Sequence, residues 1–125
     1  MAATDVYKLF NEFWSGFGVP AFVQGHAEKG QKFPYITYTV SREAMFGQNI
    51  NIGQVWTYSP NYDQAAAIAE RIEKAVPEEG AVLALPGGKG AIRLHRGTPF
   101  IQRQPDPDGM VKALLVNVVT TSYVL

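Results

Sequence analysis

Apolar side chains recur at three- and four-residue steps through Val6, Leu9, Phe10, Phe13, Trp14 and Phe17. That spacing collects them on one face of a helix. Thr4 or Asp5 can cap its start, while Gly16, Gly18 and Pro20 stop it. The face is unusually aromatic, and packing into a core is its expected role.

The pattern then changes period. Ala21, Phe22 and Val23 form a short strand candidate ahead of a polar turn at residues 25–31. Residues 35–40, introduced by Pro34, are β-branched or aromatic throughout and predict a strand. Ile36, Tyr38 and Val40 point to one side of it, and Tyr35, Thr37 and Thr39 to the other. Residues 41–48 are mixed and polar apart from Met45 and Phe46. Ile50, Ile52, Val55, Trp56, Thr57 and Tyr58 predict another strand, in which Gly53 is read as a bulge. Two long strands around a loop that exposes apolar side chains suggest a hairpin whose tip meets a partner.

Ser59 followed by Pro60 is a helix-start signal, a hydroxyl cap and then proline at the first helical position. Ala65, Ile68, Ala69, Ile72 and Val76 make a single apolar stripe after it, with Glu70, Arg71, Glu73 and Lys74 elsewhere on the helix and Pro77 ending it. Residues 81–85 read as a strand, 86–90 as a turn, 91–95 as its return, and 100–102 as a third short extended piece. A loop at 105–109 leads into a long last strand over 111–124. Leu114, Leu115, Val116, Val118 and Val119 break strict alternation there, the pattern of a central strand buried on both faces. Helix, strands, helix, strands is the order of an α+β fold. Residues 1–125 are expected to form one domain, a mixed or antiparallel β-sheet with two main helices packed on it.

Composition narrows the function. At 125 residues and 46% hydrophobic the chain can build one core without disulfide or metal staples, and it is too apolar for a disordered tail. Eleven Lys and Arg balance eleven Asp and Glu, for a formal net charge of zero. A dedicated nucleic-acid binder carries a basic excess, so that class is disfavoured, whereas near-zero net charge suits subunits that pack side by side. Cysteine is absent, which removes disulfide frameworks, thiolate metal sites and cysteine nucleophiles. The opening residues show no basic stretch running into an apolar one, and no apolar run reaches the length of a membrane span. A soluble intracellular protein is expected.

Candidate chemistry is thin. The glycines from Gly87 to Gly90 do not meet the phosphate-loop pattern, and a strand rather than a helix is expected after them. They read as a hairpin turn. Asp106 and Asp108 with Gly109 contain part of a calcium-loop pattern, but the further oxygen ligands and the distal glutamate do not follow, so a turn is expected. His26 and His95 are the only histidines and lack a metal-type spacing. No serine sits in a nucleophile elbow, and Glu78 with Glu79 reads as a solvated acidic pair. No catalytic, cofactor-binding or metal-binding residues are assigned, and the chain is not expected to be an enzyme. Lys89, Arg93, His95, Arg96 and Arg103 do cluster in sequence, with Arg93 and His95 on the outer side of one strand. An ordinary solvated sheet face is the first reading of that cluster. A surface toward DNA in passage or an acidic neighbouring subunit is the second.

Several segments resemble the tail-terminator, or tail-completion, proteins of long-tailed bacteriophages and prophages. The carriers are residues 33–38 (Phe33, Pro34, Tyr35, Ile36, Thr37, Tyr38), residues 55–59 (Val55, Trp56, Thr57, Tyr58, Ser59), the helix from Tyr62 through Ile72, residues 97–102 (Gly97, Thr98, Pro99, Phe100, Ile101, Gln102), and a last strand closing on Ser122 and Tyr123. The resemblance is one of pattern and order over nearly the whole chain, without a short diagnostic motif. It implies a structural protein of the virion, made in the host cytoplasm and acting at the head–tail junction. There it would form a six-membered homo-oligomeric ring on the tail tube, stop its polymerisation and offer the surface for head attachment. The implied partners are other copies of the chain, the major tail tube protein and a head-completion or connector protein. DNA would pass through without sequence-specific binding, and no membrane or cofactor would be involved. Exposure singles out Arg42, Met45 and Phe46 in the hairpin loop, and Arg96, Gln102, Arg103 and Asp106 late in the chain, as assembly contacts. Head–tail connector or neck proteins share this size and composition. The aromatic first helix would also suit the interface of an unrelated dimeric α+β domain that binds a small molecule.

Overall fold

The computed structural model describes residues 2–25, 30–39 and 47–124. Helix α1 (Ala2–Trp14) runs into a short 3₁₀ turn (Ser15–Phe17), and Gly18 at φ +84° ends both. Strands β1 (Ala21–Val23), β2 (Tyr35–Tyr38) and β3 (Gly47–Tyr58) follow, then helix α2 (Asp63–Ala75), and finally β4 (Ala81–Ala84), β5 (Gly90–Gln104) and β6 (Val111–Val124). The six strands form one curled mixed sheet in the order β1-β2-β3-β6-β5-β4. β1 and β2 run parallel, and every other neighbouring pair is antiparallel. The architecture is α+β in a single domain. Among the described residues no helix is long and apolar enough to cross a membrane.

The alternation of each strand decides what the sheet buries. Ile36 and Tyr38 of β2, Val55 of β3, Leu114, Val116 and Val118 of β6, and Ile92 and Leu94 of β5 all fall on one side of the ladder. They share one core cluster with Phe10, Trp14 and Phe17 from the first helix and turn, and with Ala65, Ile68, Ala69, Ile72 and Val76 from α2 and its end. The apolar stripe of α2 is therefore buried, and in the first stripe Phe10, Trp14 and Phe17 are buried with Leu9 and Phe13 partly so. Trp14, 1% exposed, stacks on Tyr38 with ring centroids 6.0 Å apart and meets Phe13 and Phe17 edge-on.

Four local expectations need correction. Gly53 is not a bulge, since the β3–β6 register runs unbroken through the Gly53–Val116 pair. A Cβ there would overlap the Trp14 ring, so the glycine lets α1 close on the sheet. Helix α2 begins at Asp63, not at Pro60. The Ser59 amide is tied to Met110 O at 2.7 Å, and Asn61 Oδ1 accepts the Asp63 N–H at 3.0 Å, so residues 59–62 form an anchored turn ahead of the helix. The pieces at 91–95 and 100–102 are not separate. They belong to β5, whose pairing with β6 shifts between Arg96 and Ile101, where the Thr98–Pro99 peptide is cis. β6 is central, as expected, but its burial is complete on one side only: on the other side Ala113 is buried while Leu115, Asn117, Val119 and Thr121 are half-buried.

Candidate assembly surface

The side of the sheet away from the helix core carries the opposite parity of every strand. From β1 to β4 it presents Phe22, Tyr35 and Thr37, then Ile50, Ile52, Gln54, Trp56 and Tyr58, then the odd-numbered residues of β6, then Arg93, His95, Gln102 and Gln104, and finally Val82. Large apolar side chains stay in solvent here. Ile50 keeps 58% of its surface, Tyr58 52%, Val82 63% and Tyr123 52%. At one corner the aromatic rings touch in a chain. Phe22 meets Tyr35 edge-on at 6.4 Å, Tyr35 stacks on Trp56 at 6.3 Å, and Phe33 bridges Tyr35 at 5.4 Å and Tyr58 at 5.7 Å. Contact with its neighbours desolvates Tyr35 enough to raise its phenol above the usual range.

Beside the aromatic corner runs a polar relay. The Trp56 indole N–H donates to Thr37 Oγ1 at 2.9 Å, Thr37 Oγ1 donates to Gln54 Oε1 at 2.9 Å, and Gln54 Nε2 donates to Gln104 Oε1 at 3.1 Å. Farther along, Asn117 Nδ2 donates to Pro99 O at 2.9 Å and to Gln102 Oε1 at 3.2 Å. These bonds link the amide side chains of Gln54, Gln104, Asn117 and Gln102 to their neighbours across the strands, so the open side combines aromatic rings with hydrogen-bonded amides. Such a surface suits contact with another protein better than general solvation.

The residues singled out from the sequence separate into four groups. Arg42, Met45 and Phe46 lie outside the described residues. Arg96 and Arg103 point to the helix side and hold α2 at its two ends. Arg96 Nε and Nη2 donate to Val76 O at 2.7 Å and Glu73 O at 3.1 Å, satisfying carbonyls that the end of the helix leaves without partners. The same guanidinium lies 5.0 Å from the Phe100 ring centroid. Arg103 lies 4.4 Å from the ring centroid of Tyr62, just before α2, with Lys112 5.7 Å from the same ring. Gln102 is on the open side, bonded to Asn117. Asp106 accepts the Asp108 N–H at 2.9 Å and Asp108 accepts the Met110 N–H at 2.9 Å, two successive side-chain turns that shape the 105–109 loop.

The aromatic corner was not singled out from the sequence, although the signal was there. Phe22, Tyr35, Trp56 and Tyr58 sit at strand parity opposite to the core residues Ile36, Tyr38 and Val55. A small cavity also occurs among the described residues. The cavity between α1 and the 86–88 turn, lined by Lys8, Leu9, Glu12 and Pro86, measures about 80 Å³. Ligand pockets usually run to roughly 300–1,000 Å³.

No family model matches the chain, and no curated protein matches its sequence. Five chains of known structure match its fold. One of these, known only by a sequence identifier, aligns with 100% of this chain and 98% of its own length at a TM-score of 0.65 and 16% identity, a likeness that extends to the fold alone.

Proposed function

We propose that this chain is a structural subunit of the head–tail junction of a long-tailed bacteriophage or prophage, acting as a tail terminator. Copies of it close a ring on the finished tail tube, stop its polymerisation and offer the surface to which the filled head attaches. Two main helices packed on one side of the sheet leave the other side to neighbouring proteins. The work is recognition without a chemical step.

The observation that supports this reading most is the open side of the sheet. Ile50, Tyr58, Val82 and Tyr123, each more than half exposed, share it with a connected aromatic cluster. A monomer working alone gains nothing from so much fixed apolar surface, while a subunit that meets copies of itself and two further proteins needs it. The sequence pattern shared with tail terminators supplies the biological setting. The test is disruption of the gene in an inducible prophage that carries it, followed by electron microscopy of the lysate. Overlong tails, or tails without heads, are the expected result. Normal infectious particles would reject the proposal.

A further inference from the structure

Both outer strands of the sheet present free backbone. The Leu85 N–H bonds to Gly90 O at 2.9 Å, which fixes the parity of the β4–β5 ladder. Ala81 and Leu83 therefore spend their backbone groups on β5, and Val82 and Ala84 turn theirs outward. At the far edge, Ile36 N–H bonds to Pro20 O and Gln24 N–H to Tyr38 O, each at 2.8 Å. Pro20, Phe22 and Gln24 thus face β2, and Ala21 and Val23 turn theirs outward. Among the described residues no hydrogen bond covers either outward row. Exposed edges are normally blunted by lysine, proline or a bulge, or by a covering element. Ala-Val-Leu-Ala in β4 and Ala-Phe-Val in β1 contain none of these residues and no charge. Among the described residues, shortness is the guard these two strands show.

From these two edges we infer that β4 of one copy pairs with β1 of the next, so that the sheet continues from subunit to subunit. This rests on the ring reading above and names the strands that make the ring. Strand direction selects this pairing over the alternatives. Following the ladder from β1, one parallel and four antiparallel steps leave β4 pointing the same way as β1. Rotation of a whole subunit about an axis along the strands therefore brings β4 beside β1 of its neighbour as a parallel pair, with the open side of every copy facing the same way. That is a head-to-tail contact, which uses both edges of each chain and leaves none free once the ring closes. A β4-to-β4 contact would instead be a two-fold dimer and would strand β1.

The chain has no cysteine, so paired cysteines read the contact directly. Phe22 and Val82 lie on the same side of the sheet, opposite Thr37 and Arg93 respectively. The double variant F22C/V82C, treated with a short bis-maleimide that spans small register slips, should give a ladder of covalent multimers ending at the ring. Neither single variant should give one. Dimers from V82C alone would mean β4-to-β4 pairing and would overturn the inference, as would the absence of cross-links in a preparation that forms rings. A second variant, Val82→Pro, removes an outward N–H while sparing the bonds to β5. It should keep the far-ultraviolet circular dichroism of the native chain and raise the concentration needed for half-assembly at least ~10-fold, about 1.4 kcal/mol. Val82→Thr, which keeps the outward N–H, should shift the half-assembly concentration far less than Val82→Pro. A native chain that stays monomeric at every concentration removes the ring and the edge pairing together. A ring that survives Val82→Pro removes the edge pairing alone.

Discussion

Both sides of the sheet carry large apolar side chains, and these meet opposite fates. On the helix side Ile36, Val55, Val116, Ile92 and Leu94 keep no more than 1% of their surface. On the open side Ile50, Tyr58, Val82 and Tyr123 keep between 52% and 63%. Hydrophobicity does not distinguish them. The difference lies in cover, because α1 and α2 contribute a matching apolar stripe to one side and nothing to the other. An apolar strand position is a statement about a neighbour, and on the open side the described residues do not provide that neighbour.

Substitutions on the two sides should therefore behave very differently. The largest loss is expected from Trp14→Ala, which empties the space between α1, Tyr38 and Gly53. A cost of about 3–5 kcal/mol is expected from the urea midpoint and slope. Gly53→Ala forces a methyl group into the Trp14 ring and should cost about 1–3 kcal/mol in the same assay. Arg96→Ala frees two carbonyls at the end of α2 and should cost about 1–2 kcal/mol, with Arg96→Lys restoring only part. Tyr58→Ser, on the open side, should change the stability of the isolated chain by no more than about 0.5 kcal/mol. A Tyr58→Ser loss as large as that of Trp14→Ala would break the comparison, because it would mean that the open side is part of the core.

A smaller effect sharpens it. The Tyr35 phenol is held above its ordinary value of 10.0 by partial burial. The unfolded chain then loses that proton at lower pH than the folded one. The contribution is complete below pH 10 and declines as pH rises from there toward the folded value. Unfolding midpoints measured from pH 9 upward should show a slight fall that Tyr35→Phe reduces. An identical fall in the variant would assign it to other tyrosines.

Much of the fold was legible because period and burial agree. The stripes through Phe10, Trp14 and Phe17 and through Ala65, Ile68, Ala69 and Ile72 are set by helical geometry, and those residues are buried. What was not legible depends on contacts remote in sequence. Gly53 has the local appearance of a bulge, and only the Trp14 ring, thirty-nine positions earlier, explains it. Ser59 and Pro60 have the chemistry of a helix start, but the bond from the Ser59 amide to Met110 O commits them to a turn. Arg96 and Arg103 have the composition of surface contacts, yet register turns both toward α2. Gln102 is the late candidate that belongs to the open side, and the aromatic corner beside the Thr37–Gln54–Gln104 relay needed the paired strands to become visible.

The central claim is that the open side and free edges exist for assembly, and native mass spectrometry of the purified chain over a wide concentration series tests it most directly. A closed hexamer, without intermediate sizes dominating, is the result this account predicts. A stable dimer at every concentration would contradict it and point to a two-fold binding domain instead.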